Sequence, residues 1–158
     1  MKRLPVFHQL IATGLGVGYF PYGPGTMGAL LAIFIWSLLA TMTSYSWLIA
    51  TTVILIIAFT LIGAWSSTIV EEYWGEDPSR VVIDEIVGQW IVLLAIPSIF
   101  SWWHVLIAFI LFRFFDIVKP LGIRKMENLK GGWGIMADDL LSGCYGAIVL
   151  IVIHNLIE

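Results

Sequence analysis

The sequence contains few of the residues on which soluble or secreted proteins depend. Only 12% of its 158 residues are charged, whereas soluble chains average about 25%. A single cysteine, Cys144, excludes an intrachain disulfide framework. A net charge of −3 provides no basic surface for nucleic acid, so we expect no nucleic-acid partner. A hydrophobic content of 59% excludes a disordered chain and leaves an integral membrane protein or a very apolar helical core.

Charge is also absent from a long continuous stretch. No Asp, Glu, Lys or Arg occurs between Leu4 and Val70, and a helix needs about 20 apolar residues to cross a bilayer. The third and fourth apolar segments are short, and Pro97 is expected to bend or end the third helix, so these two could form a partly immersed hairpin. We therefore predict one domain, residues 1–158, with an all-α fold: an integral membrane bundle of about five apolar helices. The apolar segments are residues 26–43, 46–70, 86–100, 102–115 and 140–157.

The charges that are present fall at one end of this predicted bundle. When the chain is threaded back and forth through the membrane, Lys2, Arg3 and the other basic residues lie on one face. Only Glu158 falls on the opposite side. Because cytoplasmic loops are enriched in Lys and Arg, we expect the charged face, with its active-site loops, to lie in the cytoplasm.

Five carboxylates on this face are candidates for a metal site. Asp84 and Glu85 are expected to open the third helix, Asp116 to close the fourth, and Asp138 and Asp139 to open the fifth. Adjacent carboxylates on one helix diverge by about 100°, so several helix ends must converge to hold one ion. A site of oxygen ligands without Cys or His favours a hard cation, above all Mg²⁺.

A purely structural role must be weighed against this hypothesis. Acids at a helix N-terminus offset the dipole, which could explain four of the five carboxylates. Asp116 lies at the opposite pole of its helix, where only an ion pair with Arg113 or Lys119 offers a structural explanation. A cation beside a Mg²⁺ site is also what a phosphate group needs, so we favour function for these three residues. The other basic residues of this region are expected to attract anionic lipid: Arg124, Lys125 and Lys130.

A glycine-rich stretch forms the second candidate feature. Five glycines and two prolines lie between Gly14 and Gly25, and Thr26 follows as a candidate N-cap. Glycines let backbone amides approach an anion, but small residues equally allow close helix packing in membranes. No Gly-Lys-Ser/Thr follows, so this stretch is not a P-loop. Without a cysteine-phosphatase loop or a nucleophile elbow, metal-assisted attack by water or an aspartate nucleophile remains.

Three blocks then carry a family resemblance: residues 14–28, residues 82–88, and residues 113–120 continuing to 131–139. Together they resemble the phosphatidylglycerophosphatase A family of bacterial inner-membrane phosphatases, in the order that the family has them. Ala29 departs from the pattern, which has a serine there. The resemblance implies Mg²⁺-dependent removal of the terminal phosphate from phosphatidylglycerophosphate, which yields phosphatidylglycerol. Its partners would be this phospholipid and the bilayer, and nothing in the sequence indicates an oligomer.

The resemblance and the charge pattern together suggest roles for the candidate residues. Asp116 would orient or deprotonate the attacking water, or ligate the metal. Lys119 and Arg113 would hold the phosphate, assisted by the backbone amides of Gly25 and Thr26. The metal ligands would be Asp84, Glu85, Asp138 and Asp139.

Three alternatives remain open at this point. The chain could act on another lipid phosphate, such as phosphatidic acid. It could be a divalent-cation carrier, although its charges stop at one face instead of continuing across the bilayer. It could also be a structural membrane subunit.

Overall fold

The computed structural model describes residues 4–98 and 101–157, and all regular secondary structure in this part of the chain is helical. Short 3₁₀ segments lie at Val17–Tyr19 and Ile123–Asn128. The six α-helices are α1 (Val6–Ala12), α2 (Pro24–Met42), α3 (Tyr45–Trp74), α4 (Ile83–Leu93), α5 (Trp102–Val118) and α6 (Gly132–Ile157). Lys2, Arg3 and Glu158, which entered the charge argument, lie outside the described residues.

Three helices, α2, α3 and α6, are long and apolar enough to cross a membrane. α2 and α3 coincide closely with the first two predicted spans. α6 contains the fifth but begins at Gly132, eight residues earlier than expected. The prediction that Asp138 and Asp139 open this helix is therefore wrong, because both lie about two turns inside it. The helix dipole acts only within the first turn and so does not explain them.

The third and fourth apolar segments form shorter helices. α4 has 11 residues and is about 16 Å long, too short to cross a bilayer core of about 30 Å. Nine of its 11 residues are buried. It packs against α2, α3, α5 and α6. α4 ends at Leu93, because the chain tightens into i→i+3 bonds at Ala95 and Ile96. Pro97 has no amide to donate to the Leu93 carbonyl, so the end of α4 at Leu93 agrees with the expectation that Pro97 ends this helix.

The path of the chain brings five helix ends together. α2, α4 and α6 begin, and α3 and α5 end, around one polar cavity. At the opposite end, the Tyr45 hydroxyl donates a hydrogen bond to the Ile96 carbonyl at 2.9 Å. The His104 and His154 rings also lie together there, with centroids 5.6 Å apart. The alternation predicted from the charge pattern is thus present in the fold.

Glycines allow α4 and α6 to approach closely. A side chain at Gly88 would collide with the Phe112 ring and the Asp139 carbonyl, and one at Gly143 would collide with the Gly88 carbonyl. Small residues at such crossings let helix backbones meet in membrane proteins. The crossing places Asp139 beside the first turn of α4.

We expect Gly143→Ala to destabilise the protein by about 1–3 kcal/mol, because the added methyl group has no space between α6 and α4. The neighbouring Cys144 is exposed, so Cys144→Ala is the matched control and should unfold like the parent. Thermal unfolding in detergent measures both variants. Equal unfolding temperatures for the two would show that the crossing is looser than the fold indicates.

Candidate active site

A cavity of about 820 Å³ lies where the five helix ends meet. Its wall is rich in charged side chains from α4, α5 and α6 and from the loops that connect them. Thr26 does not line it; since α2 begins at Pro24 and Gly23 precedes it, Thr26 is not the N-cap that the sequence suggested. The other residues proposed from the sequence all line the cavity: Gly25, Asp84, Glu85, Arg113, Asp116, Lys119, Asp138 and Asp139.

Three of these carboxylates form one cluster. Asp84 and Glu85 lie in the first turn of α4, and Asp139 reaches them from α6. One oxygen of each lies within 4.8 Å of the others, which is a spacing that could hold a metal ion. Asp84 and Asp139 are only 9% and 2% exposed. Two adjacent acids on α4 and a third acid from α6 therefore supply the oxygens of one possible metal site.

The cluster holds more negative charge than its surroundings neutralise. Burial, followed by repulsion from Glu85, raises the pKa of Asp84 well above its ordinary value. Burial and repulsion from Asp139 and Asp116 raise the pKa of Glu85 to about 8, although Asp84 and Arg113 oppose the change. Each cluster member also has a buried oxygen without a hydrogen-bond donor: Asp84 Oδ1, Glu85 Oε2 and Asp139 Oδ2. Buried carboxylates in this state require a proton or a cation.

Gly25 gives the Glu85 carboxylate room to enter this cluster. A side chain at Gly25 would overlap the Glu85 carboxylate and would reach the Arg113 guanidinium at 3.2 Å. The start of α2 therefore lies directly against Glu85. Gly28 similarly packs on Val82. Close packing thus accounts for these two glycines, while phosphate binding by the Gly25 and Thr26 amides stays a prediction.

Two cations face the carboxylates, one on α5 and one directly after it. Arg113 forms an ion pair with Asp116 through Nη1. Its Nε–H is buried and has no hydrogen-bond partner. An unpaired donor of this kind, beside a carboxylate cluster, is suited to an incoming anion.

Lys119 follows α5 in a left-handed conformation, with φ of 49°. Its ammonium group donates to Asp138 and, at 2.7 Å, to Glu127. Burial lowers the pKa of Lys119, but these two hydrogen bonds outweigh burial and hold the pKa above its ordinary value. Lys119 therefore stays charged, and Asp138 is paired with it instead of joining the three-carboxylate cluster.

Sequence reasoning missed several charged members of the cavity wall, among them Glu127 and Lys130. Glu127 comes from the 3₁₀ segment and pairs with Lys119, and no periodicity in the sequence indicates this contact. Lys130, which we assigned only to lipid attraction, also lines the cavity. The Gly131-Gly132 pair that follows Lys130 was the available signal, since it leads directly into the helix that bears Asp138 and Asp139.

The chain is similar to several known proteins. The family model of phosphatidylglycerophosphatase A matches residues 10–154. Proteins named phosphatidylglycerophosphatase A from Haemophilus influenzae and Escherichia coli are 39% and 38% identical over 158 and 149 residues. These matches cover 98% and 93% of this chain, and 94% and 83% of the two relatives. A Bacteroides thetaiotaomicron protein with the provisional name phosphatidylinositol-3-phosphatase is 54% identical over 153 residues, 96% of each chain. No solved structure matches the chain.

Proposed function

Because this chain belongs to the phosphatidylglycerophosphatase A family, we propose that it hydrolyses the terminal phosphomonoester of phosphatidylglycerophosphate with the help of Mg²⁺. The products are phosphatidylglycerol and inorganic phosphate. The observation that carries the proposal is the cluster of Asp84, Glu85 and Asp139, with oxygens within 4.8 Å of one another, in a cavity shared with Arg113 and Lys119. This combination suits a phosphate ester better than it suits a neutral substrate.

The donor set fits Mg²⁺. The candidate ligands are all carboxylate oxygens, which Mg²⁺ prefers. Each of the three residues has one buried oxygen that accepts no hydrogen bond. Asp84, Glu85 and Asp139 would hold the ion, while Asp138 would keep the Lys119 ammonium group in place. Bound there, Mg²⁺ would neutralise charge on the phosphoryl oxygens and acidify a water molecule.

Arg113 and Lys119 would bind the phosphoryl group. The free Nε–H of Arg113 provides one donor. The Lys119 ammonium has three N–H donors, of which the two carboxylate partners use two, so the third can reach a phosphate oxygen. Both groups are held in place by ion pairs before a substrate binds.

Asp116 would direct the attacking water. Its carboxylate is fixed by Arg113 and lies close enough to Glu85 to repel it. In the reaction, a water oxygen forms a bond to phosphorus while the bond from phosphorus to the glycerol oxygen breaks. The water proton passes to Asp116 and then to the departing alkoxide, which leaves as the alcohol of phosphatidylglycerol.

The position of the cavity supports a lipid substrate. It opens at the ends of three helices that are long and apolar enough to cross a membrane. The headgroup of a bilayer lipid lies at the ends of such helices, so its phosphate could enter the cavity while the lipid stays in the membrane. We place the cavity on the cytoplasmic side of the bacterial inner membrane, because Arg113, Lys119 and Lys130 all lie at this end.

A second substrate is favoured by one specific observation. The Bacteroides thetaiotaomicron relative, at 54% identity, is named for phosphatidylinositol 3-phosphate. That lipid also carries a phosphomonoester on a headgroup attached through a phosphodiester. The candidate site would accept either monoester by the same contacts.

Phosphate release from defined lipids tests the proposal. We expect the purified protein, in mixed micelles with Mg²⁺, to release phosphate from phosphatidylglycerophosphate. Excess chelator should reduce the rate at least about 100-fold, and added Mg²⁺ should restore it. Phosphatidylinositol 3-phosphate and phosphatidic acid serve as competing substrates. Full activity in chelator would exclude the metal, and metal flux into liposomes without phosphate release would favour a carrier.

A further inference from the structure

The cations of the cavity differ in how they are paired. Three basic side chains line it within the described residues: Arg113, Lys119 and Lys130. Arg113 is paired with Asp116, and Lys119 with Asp138 and Glu127. Lys130 is exposed and has no carboxylate within ion-pair distance in the described part of the chain. It is therefore the lining cation whose charge is available in full to a ligand.

Lys130 is also attached to a fixed segment of backbone. Gly131 adopts a φ of 63° and packs against Thr68 of α3. The Gly132 amide donates to the Thr68 hydroxyl at 2.9 Å, and the Gly134 amide donates to the Gly131 carbonyl at 2.8 Å. These contacts hold the residue after Lys130 against α3, so the lysine emerges at a defined point of the cavity rim.

The acids of the cavity limit where an anionic headgroup can lie. Glu71, Glu76 and Asp77 also line the cavity, and they come from the end of α3 and the loop that follows it. Like charges repel, so a second phosphate group in this cavity needs a cation beside it. Lys130, on the segment that enters α6, is the lining cation of the described residues that has no carboxylate partner.

We propose that Lys130 binds the phosphodiester of the lipid headgroup while Arg113 and Lys119 bind the phosphomonoester, so that the site selects lipids that carry both groups. The inference rests on the proposed function and adds a specificity-determining residue to it. Phosphatidylglycerophosphate and phosphatidylinositol 3-phosphate share this pair of phosphates, whereas phosphatidic acid has only the monoester. A single recognition device would thus serve the substrates for which the relatives are named.

The test compares Lys130→Gln with the parent on phosphatidylglycerophosphate and on phosphatidic acid. We expect KM for phosphatidylglycerophosphate to rise about tenfold with kcat changed less than about twofold, because one charge-assisted contact is lost. KM for phosphatidic acid should change less than about twofold. Lys125→Gln is the matched control, since Lys125 is an exposed lysine of the same region that does not line the cavity. It should behave like the parent on both lipids.

The outcomes separate the inference from the proposed function. An equal rise in KM for both lipids, or no rise for either, overturns the role of Lys130 while parental hydrolysis of phosphatidylglycerophosphate still stands. An equal effect of Lys125→Gln would show general attraction of anionic lipid and would also overturn it. If the parent instead prefers phosphatidylinositol 3-phosphate, the proposed substrate is wrong, and a selective rise in KM for that lipid in Lys130→Gln supports the subsite.

Discussion

Replacing Asp139 with Asn is expected to reduce phosphate release by about 10³-fold or more. Asp139 is 2% exposed, and it supplies the only acid of the three-carboxylate cluster that does not come from α4. Asn has nearly the same shape but no charge, so the change removes a hard anionic ligand without leaving a void. Loss of about 4 kcal/mol of transition-state stabilisation corresponds to this rate effect. Calorimetric titration with Mg²⁺ should show weaker binding in the same variant.

The stability of Asp139→Asn distinguishes a functional defect from a folding defect. In the metal-free protein, the substitution removes one of several buried carboxylates that repel one another, so the unfolding temperature should be unchanged or higher. Glu72→Gln is the control, because Glu72 is an exposed acid near the end of α3 that does not line the cavity. Near-parental turnover and Mg²⁺ binding in Asp139→Asn would remove the cluster from the mechanism.

The position of the charged groups at one end of the bundle could be predicted, because it depends only on the order and direction of the helices. Apolar segments that alternate in direction return every second loop to the same end, so Asp84, Glu85 and Asp116 had to lie near one another. The position of Asp84 and Glu85 in the first turn of α4 also followed from the end of the preceding polar loop. These features need only the spacing of charges along the chain.

The start of α6 could not be predicted from local preferences. Gly131, Gly132 and Gly134 are poor helix formers, so the sequence indicates a loop. In the fold, a side chain at Gly132 would collide with the Ala64 carbonyl of α3, and the Gly132 amide bonds to the Thr68 hydroxyl. Contact with α3 thus overrides propensity, and only glycine allows the contact.

The sequence also could not show which of the five carboxylates form the cluster and which form ion pairs. Lys119 adopts a left-handed conformation at the end of α5, and its side chain pairs with Asp138 of α6. Glu127 joins the pair from a 3₁₀ segment that begins after Gly122, whose φ is 89°. Such contacts depend on individual backbone angles. Spacing alone left Asp138 indistinguishable from Asp139.

Replacing Asp116 with Asn should lower kcat about 10²- to 10³-fold and leave Mg²⁺ binding close to that of the parent. Asp116 lies outside the three-carboxylate cluster and is held by Arg113, which suits a proton acceptor for the attacking water. Asn can still accept a hydrogen bond from Arg113 but cannot take a proton, so a purely structural role predicts little loss. If Asp116 instead ligates the metal, Asp116→Asn will weaken Mg²⁺ binding as Asp139→Asn does. Single-turnover rates together with Mg²⁺ titrations of both variants separate these roles, and a kcat within about threefold of the parent would exclude Asp116 as the base.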